Sequence, residues 1–190
     1  MIPNTLLVLL LCNFVVIGLL PILFFRNDGN YNLRWLTTSA PFFVVPVLLI
    51  LGAVNVLHLP SFIDFQPLQL MQIVAVAFSI TSIALLAMTV GSHRVPLALW
   101  HQDNDAPVHL VTWGPYARIR HPFYTSFLLA LTAAVLAFPH LLTAACLAYG
   151  LLVLTVTARR EEQRLAGSEF GAEYRDYIAI SGRFLPRLRS

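Results

Sequence analysis

Long apolar stretches without a charged residue constrain this chain more than any other feature. A helix needs roughly 20 mostly apolar residues to cross the roughly 30 Å of hydrocarbon in a bilayer. The stretches that reach this length are Thr5 to Phe25, Leu36 to Leu57 and Leu68 to Gly91. A fourth, residues 122–158, is too long for one span. The sequence therefore predicts an all-α integral membrane protein.

Pro139 and His140 divide the fourth stretch into two shorter spans, Pro122 to Phe138 and Leu141 to Ala158. Proline breaks a helix most easily where a turn is already favoured, so these two spans should form an antiparallel hairpin. The prediction is five transmembrane helices. The first stretch is too long for the apolar core of a signal peptide and is expected to be a retained helix.

The composition agrees with a lipid environment. Hydrophobic residues make up 58% of the chain, charged residues 11%, and the mean hydropathy is +0.75, whereas about a quarter of the residues in a soluble domain are charged. The two cysteines, Cys12 and Cys146, both lie within predicted spans. Two isolated cysteines indicate neither a disulfide framework nor a zinc site.

The basic residues predict the orientation, because the arginine-rich and lysine-rich side of a membrane protein stays in the cytoplasm. All 12 basic residues are arginines, and five spans place all of them on one face, in the loops after spans 1 and 3 and in the C-terminal tail. We expect an outside N-terminus and a cytoplasmic C-terminus, in a bacterial inner membrane. The net charge of +3 then indicates contact with membrane lipids rather than with nucleic acid.

The polar chemistry is concentrated in the second half of a single membrane domain, residues 1–190. Residues 1–91 read as a three-helix scaffold, and residues 92–190 hold a long loop, the helical hairpin and the tail. The loop from Ser92 to His121 is long for a connection in a compact domain and is therefore a candidate functional segment. The tail from Arg159 to Tyr177 has the pattern of an amphipathic helix, which either continues span 5 or lies along the cytosolic membrane surface.

One group of candidate functional residues precedes span 4. Pro122 suits the first position of a helix and keeps His121 out of the helical region. Arg120 and His121 should therefore lie at the mouth of span 4, beside backbone N–H groups that favour an anion. Tyr124 should project from the first turn.

A second group, Arg159-Arg160-Glu161-Glu162, ends span 5. Because spans 4 and 5 are predicted to be antiparallel, Glu161 and Glu162 should return to the level of Arg120 and His121. Two segments that lie forty residues apart in the sequence could then share one pocket.

These residues together resemble the isoprenylcysteine carboxyl methyltransferase family. The resemblance consists of H-L-V-x-x-G-P-Y-x-x-x-R-H-P-x-Y over His109 to Tyr124, the pair Glu161-Glu162, F-G-x-x-Y-x-x-Y from Phe170 to Tyr177, and a final R-F-x-P from Arg183 to Pro186. It covers about the last 80 residues of the chain.

The resemblance implies an S-adenosylmethionine-dependent enzyme whose cofactor pocket faces the cytosol, between the hairpin, the R-H-P loop and the tail. The residues that it implies for the cofactor site are His109, Tyr116, Arg120, His121, Pro122, Tyr124, Glu161 and Glu162. It leaves open which glutamate contacts the cofactor. It also implies a lipophilic acceptor, such as a prenylated carboxylate, that enters from the bilayer.

The chemistry of methyl transfer is compatible with these residue types. A carboxylate acceptor needs no general base, so catalysis would depend on alignment and on the exclusion of water. An arginine would orient the carboxylate, with Arg120 as the first choice and Arg159 as the second. Glu161 or Glu162 would bind the amino group of the cofactor, and we include Glu162 with the two arginines in the predicted catalytic set.

Several alternatives remain at this point. The acceptor could be an amine or a thiol of a lipid, as in the related phospholipid N-methyltransferases, and sterol reductases share a similar hairpin with a nicotinamide cofactor. A membrane assembly or transport protein would be expected to carry charges within its spans, and the predicted spans contain none. The histidines at 93, 101 and 109 match no standard metal-ligand spacing, so no metal site is predicted. The oligomeric state and the exact acceptor stay open.

Overall fold

A computed structural model describes residues 3–20, 25, 28–56, 68–92 and 110–187, and these residues are helical without a β-strand. The six helices are α1 (Asn4–Gly18), α2 (Leu33–Ala53), α3 (Leu68–Ser92), α4 (Pro122–Ala137), α5 (Leu141–Ala166) and α6 (Gly171–Ile180). A short 3₁₀ turn, Gly114–Ala117, precedes α4. The all-α prediction is confirmed for the described part of the chain.

Within the described ranges, three helices are long and apolar enough to cross a membrane: Leu33–Ala53, Gln69–Ser92 and Leu141–Ala166. The helices α1 and α4 are apolar but have only 15 and 16 residues, which at about 1.5 Å per residue is less than the bilayer core. The predicted number of five spans is therefore not confirmed. The first helix ends at Gly18 instead of Phe25, three residues before Pro21, a residue that cannot continue a helix and that restricts its predecessor.

Helix α2 begins earlier than predicted because a side chain caps its N-terminus. The Oδ1 atom of Asn32 accepts a hydrogen bond from the backbone N–H of Trp35 (3.1 Å), and the helix starts at Leu33. Asparagine satisfies one of the backbone donors that a helix start leaves without an intrahelical partner. Helix α2 contacts α1, α4 and α5.

The predicted hairpin is confirmed. Helix α4 ends at Ala137 and α5 begins at Leu141, so Pro139 and His140 form the turn. The hydroxyl of Thr143 accepts from the backbone N–H of His140 (3.2 Å) and donates to the carbonyl of Phe138 (2.7 Å). These bonds satisfy backbone groups at the ends of both helices and fix the antiparallel return of the chain.

The predicted tail helix from Arg159 to Tyr177 is wrong as one continuous element. Helix α5 does run past the apolar region to Ala166, but the chain then turns and α6 starts at Gly171. Gly167 ends α5 because glycine has a low helix propensity. The backbone N–H of Gly171 donates to the carbonyl of Ser168 (2.9 Å), and this turn brings α6 back against α5.

The scaffold helices are joined to α4 by a buried polar network. The amide of Asn13 in α1 donates to the hydroxyl of Ser79 in α3 (3.1 Å), and its carbonyl oxygen accepts from the hydroxyl of Ser82 (3.1 Å). The hydroxyl of Ser82 also lies 2.7 Å from the backbone carbonyl of Ser126 in α4. Asn13, Ser79, Ser82 and Ser126 are fully buried. Such bonds join helices that lipid alone would not hold in one register.

We expect Asn13→Ala to lower the stability of the folded protein by about 1 kcal/mol, because interhelical hydrogen bonds in membranes contribute on that order. The measurement is thermal unfolding of the detergent-purified protein. The control is Val15→Ala, which removes an exposed side chain from the same helix and should leave the unfolding temperature unchanged. Equal unfolding temperatures for Asn13→Ala and wild type would contradict a stabilising role for the network.

Candidate active site

The R-H-P loop is held against the end of α3. The indole N–H of Trp113 donates to the carbonyl of Ser92 (3.0 Å), and Gly114 adopts a φ of +61°. Any Cβ at Gly114 would collide with the hydroxyl of Ser92, so only glycine suits this position. The loop then enters α4 with His121 outside the helix and Pro122 in its first turn, which confirms the predicted start of that helix.

The C-terminal segment pairs with the same loop. The backbone N–H of Arg120 donates to the carbonyl of Gly182 (2.8 Å), and that of His121 donates to the carbonyl of Arg183 (3.1 Å). The hydroxyl of Thr125 in α4 donates to the carbonyl of Phe184 (2.8 Å). Residues 182–184 therefore lie across the entrance of α4. This pairing joins segments about sixty residues apart in the chain.

Glu162 lies at the centre of the cluster that these segments create. Its carboxylate accepts from the Nε of Arg120 (3.0 Å) and from the Nη2 and Nε of Arg183 (2.6 and 3.2 Å), and it lies 3.3 Å from the Nε2 of His121. Only 10% of the Glu162 side chain is exposed. A buried carboxylate needs such charged partners to offset its lost hydration. Glu162 thus joins α5 to the R-H-P loop and to the C-terminal segment.

Glu161 has different surroundings, although it is the preceding residue. Its Oε1 accepts a hydrogen bond from the hydroxyl of Tyr124 (2.7 Å), and its Oε2 lies 3.5 Å from the Nδ1 of His121. Its side chain is 23% exposed, against 10% for Glu162. The rings of His121 and Tyr124 stack with their centroids 5.4 Å apart. Glu161 is therefore a partly accessible carboxylate that no arginine hydrogen-bonds within the described residues.

Burial controls the protonation of the groups around these carboxylates. It lowers the pKa of His121 below its ordinary value, an effect that its hydrogen bond to Glu162 opposes and that Arg120 and Arg183 increase. Burial also raises the pKa of the Tyr177 hydroxyl to about 12. We therefore expect a neutral imidazole and a protonated phenol near pH 7.

The structure brings most of the predicted site residues together, but not all of them. Arg120, His121, Pro122, Tyr124, Glu161 and Glu162 lie in the cluster, and Tyr116 is buried beneath it, where its carbonyl accepts from the hydroxyl of Tyr177. Arg159 is exposed on the outer side of α5. His109 lies outside the described residues, as do His93 and His101. No group of metal-ligating side chains occurs within the described ranges.

Sequence reasoning missed Arg183 as a site residue. The signal was present, since Arg183 begins the final R-F-x-P of the motif, but nothing local in that pattern points to Glu162. The structure also shows that two of the three side-chain nitrogens of Arg120 already have partners within the protein. Its Nε bonds Glu162, and its Nη1 bonds the carbonyl of Ser181.

Comparison with known proteins finds a match to one protein family. Residues 99–167 match the model of the Isoprenylcysteine carboxyl methyltransferase (ICMT) family. The matched range includes the R-H-P loop, the helical hairpin and the glutamate pair. No curated protein and no solved structure matches the chain.

Because the two glutamates have different surroundings, replacing each of them with glutamine should lower the stability of the protein by a different amount. Glu162→Gln should destabilise the folded protein by about 3 kcal/mol, because it leaves the buried cations around it without a counter-charge. Glu161→Gln keeps an acceptor for Tyr124 and should cost about 1 kcal/mol or less. Thermal unfolding in detergent measures both. Equal losses would contradict the central position of Glu162.

The lowered pKa of His121 predicts a stability that falls in mild acid. The unfolded chain binds a proton at His121 near its ordinary pKa of 6.5, whereas the folded chain binds it only at lower pH. Stability should therefore fall as the pH drops below about 6.5 and become independent of this group above it. The measurement compares unfolding temperatures at about pH 5 and about pH 7.5 for wild type and His121→Gln. An equal acid-induced decrease in both proteins would exclude His121 as its source.

Proposed function

We propose that this chain is a member of the isoprenylcysteine carboxyl methyltransferase family, whose model matches residues 99–167. As such it would be an S-adenosylmethionine-dependent methyltransferase of the membrane that esterifies an isoprenoid-type or prenylcysteine-like carboxylate. The observation that carries the proposal is the contrast between two adjacent carboxylates. Glu162 is neutralised by Arg120 and Arg183, while Glu161 stays partly exposed and has no arginine partner among the described residues.

The residues of the cluster fit this cofactor. Its amino group is a cation with N–H donors, and Glu161 is a carboxylate without an arginine partner among the described residues, which supports Glu161 as the glutamate that would bind it. Trp113, which is 42% exposed on the R-H-P loop, offers an aromatic face for the adenine or for the positive charge. When bound, S-adenosylmethionine supplies an electrophilic methyl group.

The protein's own contribution is to hold the site rigid. Glu162 fixes the distance between α5, the R-H-P loop and residues 182–184, so the groups around Glu161 need not reorganise during the reaction. The buried side chains of Phe123 and Tyr124 would help to exclude water. The proposed catalytic role of Glu162 is thus to position Arg120, His121 and Arg183.

The contacts of the His121 ring favour a carboxylate acceptor over an amine or a thiol acceptor. An amine or thiol acceptor needs a base to remove its proton. His121 is the imidazole of the cluster, but both of its nitrogens face glutamates, at 3.3 and 3.5 Å. A carboxylate acceptor needs no base, and the arrangement is suited to that reaction.

The arginines support a cytosolic position for the site. Arg34 at the start of α2, Arg120 before α4 and Arg160 near the end of α5 all lie at one end of the helical bundle, because α2 and α4 both run antiparallel to α5. By the positive-inside tendency this end faces the cytoplasm, where a soluble cofactor is available. The apolar acceptor would reach the same end from the bilayer.

Calorimetric titration with S-adenosylhomocysteine, the product of the cofactor, tests the proposal. We expect micromolar binding to the detergent-purified wild type and no binding of NADPH. Glu161→Gln should weaken the binding of S-adenosylhomocysteine by about tenfold or more, because it removes a charge-assisted hydrogen bond.

The matched control is Arg160→Gln, which changes the charge of the neighbouring, exposed residue and should leave the affinity unchanged. NADPH binding in place of S-adenosylhomocysteine would replace the proposal with a membrane reductase. Unchanged affinity in Glu161→Gln would remove Glu161 from the cofactor site.

A further inference from the structure

A further cation, Arg34, belongs to a part of the chain that the family match does not include. It lies in the first turn of α2, well before residues 99–167. Its backbone carbonyl accepts from the hydroxyls of Thr38 (2.8 Å) and Thr37 (3.0 Å). The hydroxyl of Tyr149 in α5 donates in turn to the carbonyl of Thr37 (3.0 Å). The position of Arg34 relative to α5 is therefore fixed by hydrogen bonds.

The guanidinium group of Arg34 has a donor to spare. Its Nε is buried and has no hydrogen-bond partner among the described residues. A buried charged donor without an acceptor costs free energy, and proteins rarely retain one without a reason. In the packing of α2 on α5, Gly52 lies against Phe138 and Pro41 lies against Gly150. Helix α2 therefore runs antiparallel to α5, and Arg34, two turns before Pro41, lies toward the end of α5 that carries Glu161.

The other arginines near the cluster are less suited to bind a substrate. Arg120 and Arg183 are each hydrogen-bonded to Glu162, so part of the guanidinium charge of each is already paired. Arg159 and Arg164 are exposed on α5, where water competes for their donors. Arg34 is half-buried, keeps an Nε donor without a hydrogen-bond partner among the described residues, and lies toward the same end of α5 as Glu161.

The surroundings of Arg34 suit an amphiphilic carboxylate. The preceding residue, Leu33, is apolar and 68% exposed, as is typical of a side chain that faces lipid. Further along the same helix, Phe42 packs on Phe127 of α4 with ring centroids 5.2 Å apart. An acceptor whose chain lies in the bilayer could therefore present its carboxylate at the end of α2, next to α4 and α5.

We propose that Arg34 binds the carboxylate of the methyl acceptor and so selects acidic, lipophilic acceptors. This inference rests on the proposed carboxyl methyltransferase function. The planar guanidinium can hold a carboxylate through two parallel hydrogen bonds, which fixes its orientation as well as its position. Esterification removes the negative charge, so the product loses this attraction and is released more easily.

The test measures binding instead of activity. The probes are S-farnesyl-N-acetylcysteine, a prenylated carboxylate, its neutral methyl ester, and S-adenosylhomocysteine. Wild type should bind the carboxylate about tenfold or more tightly than the ester. Arg34→Gln should lose this preference by weakening only the binding of the carboxylate, and Arg34→Lys should show an intermediate affinity. Arg160→Gln, a matched control on α5, should behave like wild type.

The outcomes separate this inference from the function on which it rests. In one outcome, S-adenosylhomocysteine binds normally while Arg34→Gln retains the preference for the carboxylate over the ester; in another, it binds normally while wild type shows no such preference. Either result overturns the role of Arg34 and leaves the methyltransferase proposal standing. If Arg34→Gln weakens the binding of the carboxylate and of S-adenosylhomocysteine equally, Arg34 acts through Glu161, and the inference is also overturned. If wild type fails to bind S-adenosylhomocysteine, the proposed function falls and the inference falls with it.

Discussion

The buried carboxylate of Glu162 holds together the part of the molecule that carries its chemistry. Arg120, His121 and Arg183 reach it from the R-H-P loop and from the C-terminal segment. A buried ion pair of this kind contributes little net stability relative to apolar packing, but the loss of one partner is costly. The arrangement therefore specifies geometry more than it adds stability. The same contacts explain how residues 182–184, which lie far along the chain from α4, hold the start of that helix in place.

The contrast between Glu161 and Glu162 follows from helix geometry. Adjacent residues in a helix point about 100° apart and do not share a face. One glutamate therefore faces the C-terminal segment and its arginines, while the other faces Tyr124 of α4. One acidic pair can in this way provide both a structural anchor and an available carboxylate.

The scaffold helices contribute to the same site from the other side. The network of Asn13, Ser79, Ser82 and Ser126 joins α1 and α3 to α4 one turn beyond Pro122. Trp113 and Gly114 hold the R-H-P loop against the end of α3, and α2 brings Arg34. The first half of the chain, which has no recognisable motif, thus positions the second half and also supplies a charge to it.

The sequence by itself determined the features that depend on local backbone rules. It determined the apolar helices, the start of α4 at Pro122, the turn at Pro139 and the return of the glutamates to the R-H-P loop, because proline and apolar length act on their own segment. Only the tertiary structure decided the break at Gly167, the pairing of Arg183 with Glu162, the difference between the two glutamates and the antiparallel packing of α2 on α5 that brings Arg34 to the end of α5. Each of these depends on which side chains meet across helices, and residues distant in sequence become partners only when the helices pack.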